Sequence, residues 1–120
     1  MPVRAIRGAT CLDVDEADHM RERVVELMRQ LLERNDLVVD DLISVIFTAT
    51  SDLHSDFPAA AARSVGLGEV PLLCTQELDV PGALPRVVRV LAHAEMQAAR
   101  ADIAHVYLRG AEVLRKDLAQ

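Results

Sequence analysis

The stretch LISVIFTAT, residues 42–50, decides the fold of this chain. It is rich in β-branched side chains and apolar at successive positions, which favours a strand covered on both faces. Such a strand requires further layers of structure on either side. With 51% hydrophobic residues in a length of 120, the chain has enough apolar surface for one packed domain, and we predict a single domain over residues 1–120.

Two elements are predicted on the N-terminal side of this strand. Residues 3–12 form another strand, in which Gly8 weakens the middle or marks a bulge. Residues 17–31 form a helix, because apolar residues recur there at steps of three and four along one stripe. Asp13 or Asp15 is expected to cap the start of this helix with its carboxylate.

The C-terminal side continues the alternation of strands and helices. In chain order we predict a loop at 50–57, a helix from Pro58 to Val65 that stops at Gly66, strands at 70–77, 86–95 and 103–108, and a short helical tail after Gly110. The last strand should place Ile103, His105 and Tyr107 on one face. The order β-α-β-α-β-β-β predicts an α/β or α+β domain with one sheet and two main helices on one face. A second copy of the chain would then cover the other face, which predicts a symmetric oligomer.

Composition narrows the classes of function. A net charge of −6 and an aromatic content of 2% argue against nucleic acids and anionic membranes as partners. No run approaches the ~18–20 apolar residues of a membrane span, and no signal peptide is evident, so we expect a cytoplasmic protein. Cys11 and Cys74 lie far apart without metal-ligand spacing, and we expect both to be thiols.

The usual catalytic motifs are missing from the sequence, and its four histidines are dispersed without a metal pattern. What remains is a set of arginines in or beside apolar segments, namely Arg7, Arg63, Arg89 and Arg115. For Arg63 and Arg115 the simplest interpretation is an apolar stem with its head in solvent. Arg89 lies inside VVRVL and needs a partner, because an unpaired buried charge is costly. Glu77 or a bound anion would meet that need.

Six blocks of sequence, in this order and spacing, resemble the AroH-class chorismate mutases: RGAT (7–10), TATSDLHSDFPA (48–59), CTQELDV (74–80), VVRV (87–90), HVYL (105–108) and VLRKDL (113–118). The resemblance covers nearly the whole chain. It implies a mixed sheet of about five strands in a homotrimeric pseudo-α/β-barrel, with active sites between subunits and neither metal nor cofactor. It also implies conversion of chorismate to prephenate, on the route to phenylalanine and tyrosine.

This implied reaction is a pericyclic rearrangement that needs no nucleophile and no proton transfer, in agreement with the missing motifs. The C–O bond breaks ahead of C–C bond formation, so negative charge grows on the ether oxygen. A fixed cation beside that oxygen stabilises the transition state more than the ground state. By resemblance, Arg89 is this cation, and Glu77 holds it and accepts a hydrogen bond from the substrate's ring hydroxyl.

The resemblance assigns the other site residues as well. Arg7 binds a substrate carboxylate, with support from the hydroxyl of Tyr107. The remaining implied contacts are Leu73 and Cys74 in the same wall, Phe57 and Arg63 from the neighbouring subunit, and Leu114 and Arg115 from the C-terminal tail.

The chain departs from the family pattern at Ser51, where the family often has Pro, at Ala60, where some members carry Lys, at Cys11, which replaces a common Thr, and at 96–100, which lack an Asp-Pro turn. Without a lysine at position 60, carboxylate binding is expected to rely more on Arg63 and Arg115. Two other functions stay open: a non-catalytic binding module for a small carboxylate metabolite on the same trimeric scaffold, and a related trimeric imine or enamine deaminase. The presence of both Arg89 and Glu77 favours the mutase over the binding module, and the six blocks of sequence do not favour the deaminase.

Overall fold

The strands and helices follow one another in the predicted order. The computed structural model describes residues 1–117; Leu118, the last residue of the C-terminal block, lies outside them. The elements are β1 (Val3–Cys11), α1 (Ala17–Arg34), β2 (Leu42–Ala49), α2 (Pro58–Ala62), β3 (Leu72–Gln76), β4 (Val87–Glu95) and β5 (Val106–Leu108), with short 3-10 turns at Val39–Asp41, Arg100–Asp102 and Ala111–Leu114.

The strands form one mixed five-stranded sheet in the order β3-β2-β4-β1-β5, which confirms the predicted fold class. β4 is the central strand and pairs antiparallel with both β1 and β2. The edge strands β3 and β5 run parallel to β2 and β1 respectively. This arrangement places Arg89, in the middle strand, opposite Ala9 on one side and Thr48 on the other.

The two helices lie on one face of the sheet, as predicted. α1 packs against β1, and α2 packs against α1, β2 and β3. The side chains at this interface are fully buried, among them Ile6, Val45, Phe47 and Val88 from the strands and Met20, Val24, Leu27 and Leu31 from the stripe on α1. After α2 a wider turn leads to Gly66, whose φ of +98° ends the helical conformation at the predicted residue. No helix within residues 1–117 is long and apolar enough to cross a membrane.

The opposite face of the sheet, here called the open face, is largely uncovered in the single chain. Leu73 on this face is 59% exposed, and Ile46 and Leu91 are only half-buried. The C-terminal tail covers one end, where Ala111 packs against Tyr107 in a small separate cluster. The prediction that residues 42–50 are covered on both faces is therefore wrong for the single chain, because both helices lie on the same side.

The predicted helix cap is also wrong. α1 begins at Ala17 without any side-chain cap. Asp15 instead accepts hydrogen bonds from two backbone N–H groups of the loop after β2, and Asp13 pairs with the buried Arg23 at 2.8 Å. The two carboxylates that were predicted to cap the helix thus form contacts with other groups, namely the loop after β2 and the side chain of Arg23.

Two further differences concern β1 and β5. Gly8 does not mark a bulge, since the pairing of β1 with β4 is continuous along the strand. A Cβ atom there would lie 2.9 Å from the carbonyl oxygen of Val106, so glycine permits the close approach of β5. The last strand begins at Val106 rather than Ile103, because a tight turn precedes it. Ile103 consequently packs in the main core, whereas Tyr107 packs on the open face.

Candidate active site

Four of the predicted site residues meet on the open face. Arg7, Glu77, Arg89 and Tyr107 line one cavity of about 270 Å³. The strand pairing explains this meeting, because Arg89 and Tyr107 both lie directly opposite Ala9, and directly paired residues project to the same face of a sheet. Side chains from three strands and from the residue after β3 therefore converge at one point.

Arg89 is held in this cavity by Glu77. Its Nε atom lies 2.9 Å from Oε2 of Glu77, and the hydroxyl of Thr48 donates to the same oxygen at 2.7 Å. The buried Nε has no aligned hydrogen-bond acceptor within residues 1–117, so the contact with Glu77 is an ion pair without hydrogen-bond alignment. Glu77, one of the two partners predicted for Arg89, is thus in contact with it.

The ion pair leaves both residues capable of further contacts. The side chain of Arg89 is 43% exposed and that of Glu77 is 24% exposed. Because the contacts with Arg89 and Thr48 both use Oε2, the Oε1 atom of Glu77 keeps its capacity to accept a hydrogen bond from a ligand. The guanidinium likewise retains N–H groups for an anion.

A second cavity, of about 260 Å³, lies on the other side of the ion pair and is also lined by Glu77 and Arg89. Leu114 of the C-terminal tail lines it as well. Arg115, the next residue, pairs with Asp117 at 2.7 Å and is thus partnered within the tail. Each cavity is close to the lower end of the about 300–1,000 Å³ typical of small-molecule sites. The Arg89–Glu77 pair therefore forms the wall between two compartments that suit a small metabolite.

The structure does not bring the other predicted residues to this cavity. Leu73 lies on the open face but lines neither compartment. Phe57 and Cys74 line a different groove of about 630 Å³. No arginine or lysine of residues 1–117 lines this groove, so it is poorly suited to a dianion. Arg63 is exposed on the turn after α2. These positions are compatible with a site completed by a neighbouring subunit.

The position of Cys74 follows from strand alternation. Its free thiol packs toward the main core, on the face opposite Arg89. The direction of its backbone N–H follows from the neighbouring hydrogen bonds. The carbonyl of Pro71 and the N–H of Glu77 bond to β2, so the odd-numbered residues of β3 direct their backbone groups toward β2. Alternate residues of a strand direct these groups to opposite sides, so those of Cys74 point away from β2. The N–H of Cys74 therefore lies on the free edge of the sheet, where its backbone, but not its thiol, is available to bind a ligand.

Sequence reasoning missed Thr48, which supports Glu77. The strand that contains Thr48 was predicted correctly. Thr48 lies opposite Arg89, however, only because β2 pairs with β4, and no local sequence pattern reveals that pairing. Sequence reasoning also missed a cavity of about 360 Å³ beside the first one, where Arg7 and Leu91 line both cavities. The other basic residues that line this cavity of about 360 Å³ are Arg4, His93, Arg100 and His105.

Sequence and fold are similar to those of known proteins over nearly the whole chain. The family model described as chorismate mutase type I matches residues 3–118. Chorismate mutase AroH of Thermus thermophilus is 46% identical over 117 residues, covering 97% of this chain and 96% of that protein. Chorismate mutase AroH of Bacillus subtilis (strain 168) is 37% identical over 120 residues, covering 99% of this chain and 94% of that protein. A solved chorismate mutase from Clostridium thermocellum superposes with a TM-score of 0.90 at 44% identity, covering 92% of this chain and 98% of that one.

Proposed function

Because the chain belongs to the chorismate mutase type I family, it is a chorismate mutase, an isomerase, and we propose that Arg89 is the principal catalytic residue in its rearrangement of chorismate to prephenate. The carrying observation is the placement of Arg89, supported by Glu77 and Thr48, in one cavity with Arg7. Neither the carboxylate-binding module nor the deaminase gains support from the similar proteins. We expect the enzyme to act in the cytoplasm, in the synthesis of phenylalanine and tyrosine.

Arg89 accelerates the reaction by stabilising charge that develops as the C–O bond breaks. Its guanidinium is already in place before the substrate binds, so little reorganisation is needed when the ether oxygen becomes negative. Glu77 makes this possible, because a cation on an apolar sheet would otherwise be unpaired in the free protein. Thr48 in turn fixes the carboxylate oxygen that contacts Arg89.

The remaining groups orient the substrate. Chorismate carries two carboxylates, and Arg7, which lines the same cavity as Arg89, is the cation that binds one of them, with Tyr107 as its support. Oε1 of Glu77 accepts the hydrogen bond of the ring hydroxyl. Fixing both ends of a flexible substrate selects the compact conformer in which the carbon atoms that will bond are close together. No side chain has to transfer a proton.

The direct test is to follow the ultraviolet absorbance of chorismate with the purified protein and to identify the product by NMR. We expect prephenate to form in proportion to enzyme concentration. Tight binding of chorismate without turnover would instead establish a carboxylate-binding module, and release of ammonia from an imine substrate would establish the deaminase.

We also propose that the enzyme is a homotrimer in which the neighbouring subunit completes each site. The open face leaves apolar residues such as Leu73 uncovered, which is typical of a surface that a second copy covers. Phe57 and Arg63 lie outside the cavity of their own chain, and the second carboxylate of chorismate calls for a further cation. Arg63 of the neighbouring subunit and Arg115 of the tail are the cations we assign to it.

A complementation experiment tests the shared site. Arg63→Ala and Arg89→Met should each lower kcat/KM in the homogeneous protein. In a trimer that mixes the two variants, one site combines an intact Arg89 with an intact Arg63 of the neighbour, so co-expression should restore activity. The control is a protein whose every chain carries both substitutions, and it should show no restored activity. If mixed trimers verified by mass spectrometry are no more active than the single variants, the shared site is refuted.

A further inference from the structure

His105 contacts Arg7 in a way that the mechanism above does not use. The backbone N–H of Arg7 donates to Nδ1 of His105 at 3.0 Å. β5 pairs with β1 only from Gly8 onward, so this N–H lies just beyond the end of the backbone ladder. The imidazole supplies the acceptor that the strand does not. It thereby fixes the backbone of the residue whose side chain lines the active-site cavity.

We propose that His105 is a positioning residue for Arg7 and that its neutral form is required for binding the substrate carboxylate; this proposal rests on the function proposed above. An imidazole nitrogen that accepts a hydrogen bond carries no proton, so the proton of the neutral ring is on Nε2. Protonation at Nδ1 would place its N–H opposite the backbone N–H of Arg7, so that two hydrogen-bond donors would face each other. The contact would break, and Arg7 would lose its fixed position.

The surroundings of His105 favour the neutral ring. Burial lowers the pKa of His105, and the positive charges of Arg7 and Arg115 lower it further. The charged and titratable groups that line its cavity are Arg4 and Arg7 from β1, His93 from β4 and Arg100 from the turn before β5. No carboxylate lines this cavity among residues 1–117. Burial and the guanidinium of Arg7, together with that of Arg115, which is paired with Asp117, therefore disfavour a positive charge on the ring.

The sign of the pH effect follows. The pKa of His105 in the folded protein lies below the ordinary value of about 6.5. The contact is thus complete above that value and is lost as the pH falls through the lowered pKa. Because the unfolded chain binds the proton more readily, the contribution of His105 to stability is lost in the same acidic window. The effect on catalysis should appear mainly in KM, since Arg7 binds a carboxylate that is present in both ground and transition states.

Two variants test the proposal. In His105→Asn the side-chain oxygen accepts from the Arg7 N–H near the position of Nδ1 and does not titrate, whereas His105→Leu has no acceptor. With kcat and KM measured between about pH 5 and 8, the wild-type KM should rise on the acid side. His105→Asn should keep the neutral-pH KM within about threefold and lose the acid rise. His105→Leu should have, at every pH, a KM about ten times the neutral-pH value of the wild type. An acid rise that persists unchanged in His105→Asn, or a normal KM in His105→Leu, overturns the proposal.

A measurement on the wild-type protein separates this proposal from the proposed function. Nitrogen-15 NMR of the His105 ring should show an unprotonated Nδ1 at neutral pH. The protection of the Arg7 amide against hydrogen exchange, relative to its intrinsic rate at each pH, should fall as the ring takes up a proton. A ring that is protonated at Nδ1 at neutral pH overturns the positioning role even if the enzyme is active. Absence of chorismate turnover at every pH, with the expected ring tautomer, would refute the proposed function instead.

Discussion

Replacing Arg89 with methionine is expected to lower kcat by at least about 10²–10³-fold, or about 3–4 kcal/mol of transition-state stabilisation. Methionine keeps an unbranched apolar stem but removes the cation that we assign to the developing charge. Since this interaction strengthens as the C–O bond breaks, kcat should fall more than KM rises. Steady-state kinetics at saturating chorismate measure the effect directly.

Two controls define the role of Arg89. Arg89→Lys keeps the charge but not the planar fork of donors, so its kcat should lie between those of the wild type and the methionine variant. Arg29→Met removes an arginine from the exposed side of α1 and should leave kcat unchanged. Circular dichroism and native mass establish that each variant is folded and assembled. A folded Arg89→Met protein with near-normal turnover would contradict the assigned role.

The strands and the candidate cation were predictable because their signals are local. Val87–Glu95 is rich in β-branched residues, and a lone arginine in such a run requires a partner wherever the strand lies. The partnership with Glu77 was one of two predicted possibilities, and the structure shows this contact at 2.9 Å. The role of Thr48 was not predictable, because it depends on which strands become neighbours and in which register.

The errors have a common physical origin in contacts between distant parts of the chain. Asp15 has the propensity of a helix cap, but two N–H groups of a loop about 40 residues away compete for its carboxylate. The apolar residues of β2 led to the prediction that both faces of this strand are covered. In the structure Ile46, on the open face, is only half-buried by its own chain. An apolar position that its own chain leaves half-open is the pattern expected of a subunit whose core is completed by another copy.

Replacing Phe47 with alanine is expected to lower the free energy of unfolding by about 3–5 kcal/mol. Phe47 lies in the middle of LISVIFTAT and is 0% exposed, between Cys74 and Val90 on the neighbouring strands. Truncation removes its buried apolar surface and leaves a cavity beneath the helices that rigid neighbours cannot fill. Phe47→Leu keeps most of the volume, and we expect it to cost less than about 1.5 kcal/mol. Urea unfolding at one fixed protein concentration measures both values, because the stability of a chain that assembles as proposed depends on concentration.

The same pair of variants tests the separation of the two faces. Phe47 belongs to the helix-covered core, whereas its neighbour Thr48 contacts Glu77 in the cavity on the open face. Where both variants remain folded, kcat per site should therefore stay within a few-fold of wild type although stability falls. A loss of kcat comparable to that of Arg89→Met, with the free energy of unfolding unchanged, would mean that Phe47 points into the active site and that the faces of β2 are assigned the wrong way round.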